Sequence, residues 1–562
     1  MRIGPQTEAA DRLHAEKYRL PGESFRDAMN RIASAMSDSD VHYHKLRDIL
    51  LSQRFLPAGR IQSAMGSGRQ VTAFNCFVSG TISDVMTGNE ASIMGRQMQA
   101  IETLRRGGGI GYDFSTIRPR GAPITKLESI ASGPVSFMHG YHAWAEAVSS
   151  TGHRRGAQMG VLRIDHPDIE EFIRAKQTEG KLTTFNISVG VTDAFMHALE
   201  ADEMFPLMFE RRVYREVRAR DLWEQIMRCT WDYADPGVLF IDRINVNNNL
   251  KYCETIAATN PCGEQPLPPF GACLLGSFNW AAYVGDDGFD DDQWAEDIPV
   301  IVRAMDNVID RTTYPLIEQE HEAKSKRRMG LGVTGVANAI EALGHPYGSD
   351  EFLRVLDERL EVLANAAYTS SAQLAAEKGA FPRYDAAQFS EAPYVQWLNS
   401  DTQKAITEHG LRNSHLISIA PTGTISQCAD NVSSGIEPTF ALSTKRIIQT
   451  DDGPRDVVLQ DYAHARDWCH PTTFDRVSVD DHLKVLAVAS AWVDSGVSKT
   501  INLPNTVPWD EFKSIYTRAY KLGIKGVTTF VMGNAKGSLL EVAEAQPDTC
   551  VINEMIGERD CG

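Results

Sequence analysis

An amide, a thiol and a carboxylate occur at alternate positions of one loop, as Asn260, Cys262 and Glu264. Four prolines within residues 261–269 forbid a helix there and favour a stiff, extended chain. Because residues two apart in an extended chain point the same way, we expect the three side chains to share one face. Such a cluster is a candidate for catalysis, and the alternatives are a structural metal site and a plain surface loop.

The metal alternative has little support in the sequence. The chain contains no C-x-x-C pair, and no histidine lies near the loop to complete a tetrahedral zinc site. The nine cysteines are an odd number, and a cytoplasmic, reducing compartment disfavours structural disulfides. We therefore assign no metal ligand and expect catalytic or redox thiols.

Composition limits the classes of partner. A formal net charge of −18 over 562 residues argues against a nucleic-acid groove, although small phosphorylated ligands need only one helix N-terminus. The chain has no apolar run of about 18 residues, which is the length that a membrane span needs. The charged N-terminus lacks the apolar segment of a secretory signal, so we predict a cytoplasmic protein without a membrane contact.

The chain divides into three parts by its periodicity. Apolar spacing predicts helices over residues 1–55, and alternating helical and β-type segments predict an α/β body over residues 56–535. One of these helices is expected to stop at Gly379. Residues 536–562 are small and polar and are expected to form a flexible tail.

The loop resembles the finger loop of ribonucleotide reductases, whose pattern is Asn-x-Cys-x-Glu with a second cysteine a short way on. Further segments match that family in the same order along the chain. They are NCFVSG (75–80), SGPVSFM (132–138), RRGAQMGVLRIDHPDIEEFIRAK (154–176), FNISVGVTDAFM (185–196), RRMGLGVTGVANAI (327–340), APTGTISQCADNVSSGIEPTF (420–440) and SKTINLP (498–504).

The resemblance implies a role for each matching residue. Cys262 would carry the thiyl radical that abstracts the 3′-hydrogen of a ribonucleotide, and a ribonucleoside diphosphate is the expected substrate. Glu264 would accept the 3′-hydroxyl proton, and Asn260 would hydrogen-bond near the leaving 2′-hydroxyl. Cys76 and Cys273 would supply two electrons and close a disulfide as water leaves. The product would be a 2′-deoxyribonucleotide, a DNA precursor.

The resemblance also implies the fold. It predicts a ten-stranded α/β barrel of two five-stranded halves, with the finger loop at its centre. The module that switches overall activity in some relatives, the ATP cone, needs about a hundred residues ahead of the barrel. Only residues 1–55 precede LPAGR (56–60), so we predict no ATP cone.

The segment from Pro421 to Ser426 joins an apolar strand-like run to a helix start. Backbone N–H groups at such a start can hold a phosphate, and an ordinary N-cap explains the same pattern. In the family the matching loop binds the substrate diphosphate, which assigns substrate binding to Pro421, Thr422, Gly423, Thr424 and Ile425.

Other substrate and effector residues follow from the resemblance. Asn75 and the backbone at Gly108 and Gly109 are expected to approach the substrate, while a tight turn is the alternative for the glycines. Asp84 is the candidate for binding the ribose of a deoxynucleoside triphosphate effector, and Ser83 is the alternative position.

The family divides by the origin of the radical. Thr529 and Phe530 stand where the class that uses a separate metal-containing subunit has paired tyrosines, and a phenyl ring cannot relay a proton-coupled electron. No glycyl-radical loop is evident, which leaves adenosylcobalamin as the cofactor, without an identified cobalamin ligand. The alternatives are a catalytic subunit with an unusual radical path and, remotely, an inactive nucleotide-binding regulator.

Four of the other cysteines fall into two groups. Cys229 and Cys253 are expected to be ordinary buried thiols. Cys550 and Cys561 lie in the polar tail and suit a redox shuttle that exchanges thiols with a thioredoxin- or glutaredoxin-type reductant. The alternatives are that either cysteine is incidental, or that the tail binds a metal together with a partner. Monomer and homodimer both stay open.

Overall fold

The computed structural model describes residues 3–149, 157–178, 180–450 and 453–533, together with three short strands after residue 540. The helices are α1 Glu8–Tyr18, α2 Phe25–Met36, α3 Asp40–Leu51, α4 Gly59–Ala64, α5 Ile93–Arg105, α6 Pro134–Ser149, α7 Ile169–Ile173, α8 Asp193–Ala201, α9 Ala219–Tyr233, α10 Ile241–Val246, α11 Asp291–Arg311, α12 Ile317–Lys326, α13 Val336–Ala342, α14 Asp350–Lys378, α15 Ala386–Ser390, α16 Pro393–Trp397, α17 Ser400–His409, α18 Gly423–Gln427, α19 Val479–Ala491 and α20 Trp509–Lys521.

The strands are β1 Phe55–Pro57, β2 Cys76–Val78, β3 Gly109–Asp113, β4 Pro123–Ile124, β5 Ser129–Ile130, β6 Gln158–Arg163, β7 Phe185–Val191, β8 Met204–Phe209, β9 Arg212–Arg218, β10 Gly237–Phe240, β11 Ala258–Thr259, β12 Pro266–Leu267, β13 Ala272–Cys273, β14 Leu275–Asn279, β15 Val284–Gly285, β16 Gly288–Phe289, β17 Gly330–Thr334, β18 Ser443–Thr450, β19 Gly453–Gln460, β20 Thr500–Leu503, β21 Gly526–Val531, β22 Glu541–Val542, β23 Val551–Ile552 and β24 Arg559–Asp560.

Five parallel strands form the first half of the body, in the order β2-β3-β6-β7-β10. Helices connect successive strands, as parallel pairing requires, because a parallel strand cannot be reached by a tight hairpin. Strands β6, β7 and β10 are almost wholly buried, which fits strands covered on both faces. The predicted α/β class is confirmed.

A second set of parallel strands faces the first. Strand β14 pairs with β17, and single bridges continue from Leu331 to Ile417 and from Ile419 to Val497. The chain then enters β20, which pairs in parallel with β21. We refer to these five strand positions, with 417–419 as the third, as the second half.

Antiparallel contacts join the two halves at both sides. Strand β21 pairs antiparallel with β10, and β13, directly before β14, pairs antiparallel with β2. The strands of the two halves therefore run in opposite directions. This leaves the interior between the halves as the place where residues from both can meet.

Helices α1, α2 and α3 lie within the part that was predicted to be helical, and α2 has a capping box at Ser24. Helix α14 ends at Lys378 with Gly379 as its C-cap at φ 84°, as predicted from the glycine. Within the described ranges, no helix has the length and apolar character that a membrane span requires.

Candidate active site

The 260–265 segment is the tip of a β-hairpin that lies between the two halves. Its two strands are β11 and β12, and Thr259 pairs with Pro266. One side of the hairpin lies directly on β3, since a methyl group on Gly111 would be only 1.9 Å from the carbonyl oxygen of Thr259. The hairpin is thus packed against the inner face of the first half.

The tip is a turn and not the extended chain that was predicted from its prolines. The Gly263 amide donates to the Asn260 carbonyl at 3.0 Å, which places Pro261 and Cys262 at the centre of a four-residue turn. Proline at the second position and glycine at the fourth both favour such a turn. The prediction that Asn260, Cys262 and Glu264 share one face of an extended strand is therefore wrong, because the chain reverses between them.

The turn separates these three residues by exposure. Asn260 and Glu264 are buried, whereas Cys262 is exposed. The Asn260 side chain is fixed by the Gln265 amide, which donates to its Oδ1 at 3.0 Å. Among the described residues, its buried Nδ2 has no hydrogen-bond partner. A buried donor without a partner is costly, so this amide is available to a bound polar ligand.

Cys76 and Cys273 are direct neighbours on adjacent antiparallel strands, in register with each other. Opposite residues in an antiparallel pair have α-carbons about 4.5–5.5 Å apart and side chains on the same face. That separation is within the range of disulfide-linked cysteines, about 4.4–6.8 Å. Both thiols are buried and reduced in this structure. The two cysteines can therefore form a disulfide without rearrangement of the strands.

The environment of Cys273 keeps it protonated. Burial raises the pKa of its thiol well above the ordinary value, and the nearby Glu264 charge acts in the same direction. Cys76 and Cys262 are also close enough to contribute to this shift. A buried thiol of this kind is a poor nucleophile towards external reagents and retains its hydrogen.

Gly109 is where the hairpin tip and the cysteine pair come together. A methyl group on Gly109 would lie 3.1 Å from Cys76 Sγ and 3.1 Å from Pro261 Cγ. The residue before Cys262 and the Cys76 sulfur are thus both next to one glycine, inside the body and not on its outer surface. Gly108 precedes it and is also buried.

The glycine at 111 gives a prediction about how the hairpin is seated. We expect Gly111→Ala to lower the free energy of unfolding by about 2 kcal/mol or more, because the added methyl overlaps a backbone oxygen and the hairpin must shift. Urea denaturation of the purified variant measures this loss of stability. Gly190→Ala on β7 is the control, since its methyl would meet neighbours only at 3.6 Å and beyond. Equal stability of the two variants would contradict the prediction.

The 421–425 loop directly follows the 417–419 strand position of the second half. Thr422 has a left-handed backbone with φ 50°, and its hydroxyl is 2.9 Å from Thr334 Oγ1 and accepts from the Gly435 amide at 2.9 Å. The Thr422 side chain is therefore committed to holding the loop. Gly423 and Thr424 are exposed at the start of α18. Pro421 is exposed and Ile425 is buried.

Asp84 lies outside the cysteine cluster. Its carboxylate accepts a hydrogen bond from Arg118 Nε at 2.5 Å, and its side chain is partly exposed. Asn75 is next to Cys76, and its backbone N–H donates to the Cys273 carbonyl at 3.1 Å. The Asn75 Oδ1 is buried without a hydrogen-bond partner.

Strand β21 has Thr529 and Phe530 on adjacent positions. Thr529 is fully buried, with its hydroxyl 2.8 Å from the Tyr516 hydroxyl. Burial raises the pKa of Tyr516, despite the hydrogen bond with Thr529, which lowers it. Tyr516 lies on α20, so no tyrosine pair is present on β21.

We call the strands of the two halves the walls. Two residues on these walls touch the hairpin tip and were not among the predicted site residues. Asn186 on β7 donates to the Pro261 carbonyl, and Ser418 in the second half donates to the Glu264 carbonyl. Each is a polar residue inside an apolar strand-like run, FNISVGV and LISIA. That interruption is the signal from which the sequence could have identified them.

The other cysteines divide differently from the prediction. Cys229 is buried, as expected, whereas Cys253 is exposed, because it follows α10 in a surface turn before the hairpin. Cys550 and Cys561 lie outside the described residues. Across the part of the chain that the structure describes, no group of three histidine, cysteine or acidic side chains is arranged to hold a metal ion.

Comparison with known proteins gives concordant matches. A model of the ribonucleotide reductase barrel domain matches residues 74–530. A vitamin B12-dependent ribonucleoside-diphosphate reductase of Mycobacterium tuberculosis H37Rv is 35% identical over 576 residues, covering 95% of this chain and 78% of that protein. One of Thermoplasma acidophilum is 31% identical over 540 residues, covering 90% and 67%. A vitamin B12-dependent ribonucleotide reductase of Streptomyces coelicolor is 26% identical over 620 residues, covering 94% and 63%.

Proposed function

Because the chain belongs to the ribonucleotide reductase family, we propose that it reduces ribonucleotides to 2′-deoxyribonucleotides by thiyl-radical chemistry. We propose diphosphates as its substrates, since the relatives with 35% and 31% identity are named ribonucleoside-diphosphate reductases. The observation that carries the proposal is the arrangement of three cysteines. One is exposed at a hairpin tip, and two buried ones are paired in register beside it.

The three cysteines suit two different tasks. The exposed Cys262 is accessible to an incoming radical and to a substrate, so we assign it the hydrogen abstraction at the 3′-carbon. Cys76 and Cys273 are protected and adjacent, so we assign them the two-electron donation. Oxidation of these two thiols to a disulfide balances the loss of the 2′-hydroxyl as water. Return of the hydrogen from Cys262 to the 3′-carbon then completes the deoxyribonucleotide.

Two polar side chains from the hairpin act on the hydroxyl groups. Glu264 is buried beside Cys273, where a carboxylate can accept the 3′-hydroxyl proton. Asn260 presents a buried side-chain Nδ2 that lacks a hydrogen-bond partner among the described residues, and a ribose hydroxyl would supply one. Asn75, Gly108 and Gly109 complete the proposed substrate contacts on the first half.

The residues present fit adenosylcobalamin as the radical source. Cys262 is exposed, so a cofactor bound beside the hairpin tip would have access to its sulfur. Thr529 and Phe530 offer no redox-active ring on β21, which disfavours a radical relayed through tyrosines from a second subunit. When bound, adenosylcobalamin supplies the radical by homolysis of its cobalt–carbon bond. The names of the relatives, which include vitamin B12 dependence, support this cofactor.

We further propose that the two halves close into the ten-stranded barrel. Support comes from the strand pairings, which run through the first half, cross to the second at β10 and β21, and return to β2 through β13. The helical segment 1–55, the barrel over 56–535 and the redox tail over 536–562 remain our proposed division of the chain.

The proposed loop and effector contacts rest on the resemblance and on position. The exposed backbone at Gly423 and Thr424 is proposed for the substrate diphosphate, together with Pro421 and Ile425, while Thr422 shapes the loop. Asp84 is proposed for a deoxynucleotide effector, which would have to compete with its Arg118 partner. A thioredoxin- or glutaredoxin-type reductant is the proposed protein partner.

A direct assay tests the function. Purified chain is incubated with a ribonucleoside diphosphate and dithiothreitol, with and without adenosylcobalamin, and deoxynucleotide is measured by chromatography. We expect product only with the cofactor. Replacing the diphosphate by the triphosphate tests the substrate class. Product that requires a second, metal-containing protein and not the cofactor would favour the alternative class instead.

The tail gives a separate prediction. We expect the double variant Cys550→Ser, Cys561→Ser to stop after about one turnover when thioredoxin is the reductant, because the buried Cys76–Cys273 disulfide is then not reduced back to two thiols. Dithiothreitol is small enough to enter the body and should restore cycling. The measurement is product per chain with each reductant. Unchanged turnover with thioredoxin would show that these two cysteines are not the shuttle.

A further inference from the structure

Two side chains from opposite halves hold backbone carbonyls of the hairpin tip. Asn186 Nδ2 donates to the Pro261 carbonyl at 2.8 Å, and Ser418 Oγ donates to the Glu264 carbonyl at 2.9 Å. Asn186 belongs to β7 in the first half, where its register partner is Met159. Ser418 lies between Ile417 and Ile419, which form the bridges of the second half. The hairpin tip is thus hydrogen-bonded to both walls.

Hydrogen bonds within the tip have a different role. Asn260 N donates to the Gln265 carbonyl at 3.1 Å, Gln265 N donates to Asn260 Oδ1 at 3.0 Å, and Gly263 N donates to the Asn260 carbonyl at 3.0 Å. These bonds fix the shape of the turn, because both partners belong to it. They do not fix where the turn stands relative to the walls, which depends on the packing of Thr259 against Gly111 and on the hydrogen bonds from Asn186 and Ser418.

The two carbonyls that accept these wall hydrogen bonds belong to the backbone that carries the reacting side chains. A peptide unit is planar, so the Pro261 carbonyl oxygen and the α-carbon of Cys262 belong to one rigid group. In the same way, the Glu264 carbonyl oxygen is rigidly connected to the α-carbon of Glu264 itself. Holding these two oxygens therefore fixes the backbone positions from which the Cys262 sulfur and the Glu264 carboxylate project.

We propose that Asn186 and Ser418 are positioning residues, which set the places of Cys262 and Glu264 relative to the bound ribose. This inference rests on the proposed function, because it concerns the same site. Neither residue has to touch the reacting atoms to act in this way. A displacement of about 1 Å in a reacting group can reduce the rate about 100-fold, so the loss of one wall bond can have a large effect.

Substitution of Asn186 tests the role of its donor. Asn186→Ala removes the hydrogen bond, and we expect kcat to fall about 10- to 100-fold while KM changes less than about threefold. Asn186→Asp keeps the shape, but its ionised carboxylate can only accept and would face a carbonyl oxygen. Its protonated form has an O–H and can donate. We therefore expect the activity of Asn186→Asp relative to wild type to rise as the pH is lowered, whereas the relative activity of Asn186→Ala stays flat.

Ser418 is tested in parallel. We expect Ser418→Ala to lower kcat, also by about 10- to 100-fold, since the Glu264 carbonyl loses its donor from the second half. The controls are Ser188→Ala, two residues along β7 on the same face as Asn186, and Ser277→Ala, a buried serine on β14. Both remove a buried hydroxyl from a wall without touching the hairpin tip, and we expect kcat within about twofold of wild type.

A second measurement does not depend on turnover. Iodoacetamide alkylation of Cys262 is followed by peptide mass spectrometry in the full chain, with the exposed Cys253 as an internal reference. We expect Asn186→Ala to change the alkylation rate of Cys262 by at least about threefold while that of Cys253 stays constant. If wild type makes no deoxynucleotide, the proposed function fails, and the alkylation rates still test the positioning.

The outcomes are distinct. Loss of kcat in Asn186→Ala and Ser418→Ala, recovery of Asn186→Asp at low pH and altered Cys262 alkylation would support the proposal. The proposal would be overturned for Asn186 if the activity of Asn186→Asp relative to wild type did not change with pH and the alkylation rate of Cys262 were unchanged in Asn186→Ala. Near-wild-type kcat in Ser418→Ala would overturn it for Ser418. If kcat fell equally in Ser188→Ala and Ser277→Ala, the loss would be a general response to substitution in the walls, and the proposal would also be overturned.

Discussion

Cys262→Ser is expected to abolish deoxynucleotide formation, with a loss of more than about 1000-fold. The serine O–H bond is much stronger than the S–H bond that it replaces, so the hydroxyl cannot be converted to a radical under the same conditions. A barrier higher by only about 4 kcal/mol already gives a thousandfold loss. The measurement is product per chain per minute, with adenosylcobalamin and dithiothreitol both in excess.

The structure supplies a matched control for this substitution. Cys253 is also an exposed cysteine, and it lies in a turn ahead of the same hairpin. Cys253→Ser should keep the activity of the wild type and should bind the substrate equally well. Substantial activity in Cys262→Ser would mean that the radical is carried elsewhere, and the assignment of the hairpin tip would then be wrong.

Cys273→Ser is expected to separate the radical step from the reduction. Hydrogen abstraction at the 3′-carbon needs only Cys262, so release of tritium from the 3′ position of a labelled substrate should persist. Reduction needs a disulfide between two thiols, and a serine beside Cys76 cannot form one. We therefore expect less than about one deoxynucleotide per chain, whatever the reductant.

A buried serine also costs stability, since its hydroxyl must find a hydrogen-bond partner. Cys428→Ser is the control for that cost, because Cys428 is another buried thiol and burial raises its pKa to about 12. The control should make deoxynucleotide at the rate of the wild type. Clean multiple turnover by Cys273→Ser would contradict the pairing of Cys76 with Cys273. After one turnover without reductant, mass spectrometry of the wild type should detect that disulfide.

The α/β class and the chemistry of the loop were determined by the sequence alone. Hydrophobic periodicity is a local property, so strands such as β7 and β10 and the end of α14 at Gly379 followed from nearby residues. The type and order of Asn260, Cys262 and Glu264 indicated radical chemistry through the family resemblance. The lack of tyrosine at 529 and 530 indicated the cofactor, which the names of the relatives support.

The conformation of the loop was predicted wrongly, for an identifiable reason. Four prolines exclude a helix, but they are compatible with both an extended chain and a turn. The order of the residues decides between them, because proline at the second position and glycine at the fourth favour the turn, which the number of prolines alone does not reveal. Cys253 was likewise assigned to the interior from its neighbours, whereas the end of α10 brings it to the surface.

Only the tertiary structure decided which residues meet. The register of β13 on β2 brings Cys273 beside Cys76, and no local pattern determines a pairing between strands so distant along the chain. The same holds for Asn186 and Ser418, which looked like isolated polar residues in apolar strands. Their functions depend on a hairpin that reaches them from another part of the sequence. The sequence thus determined the reactive groups, and the strand register and hairpin packing determined their distances.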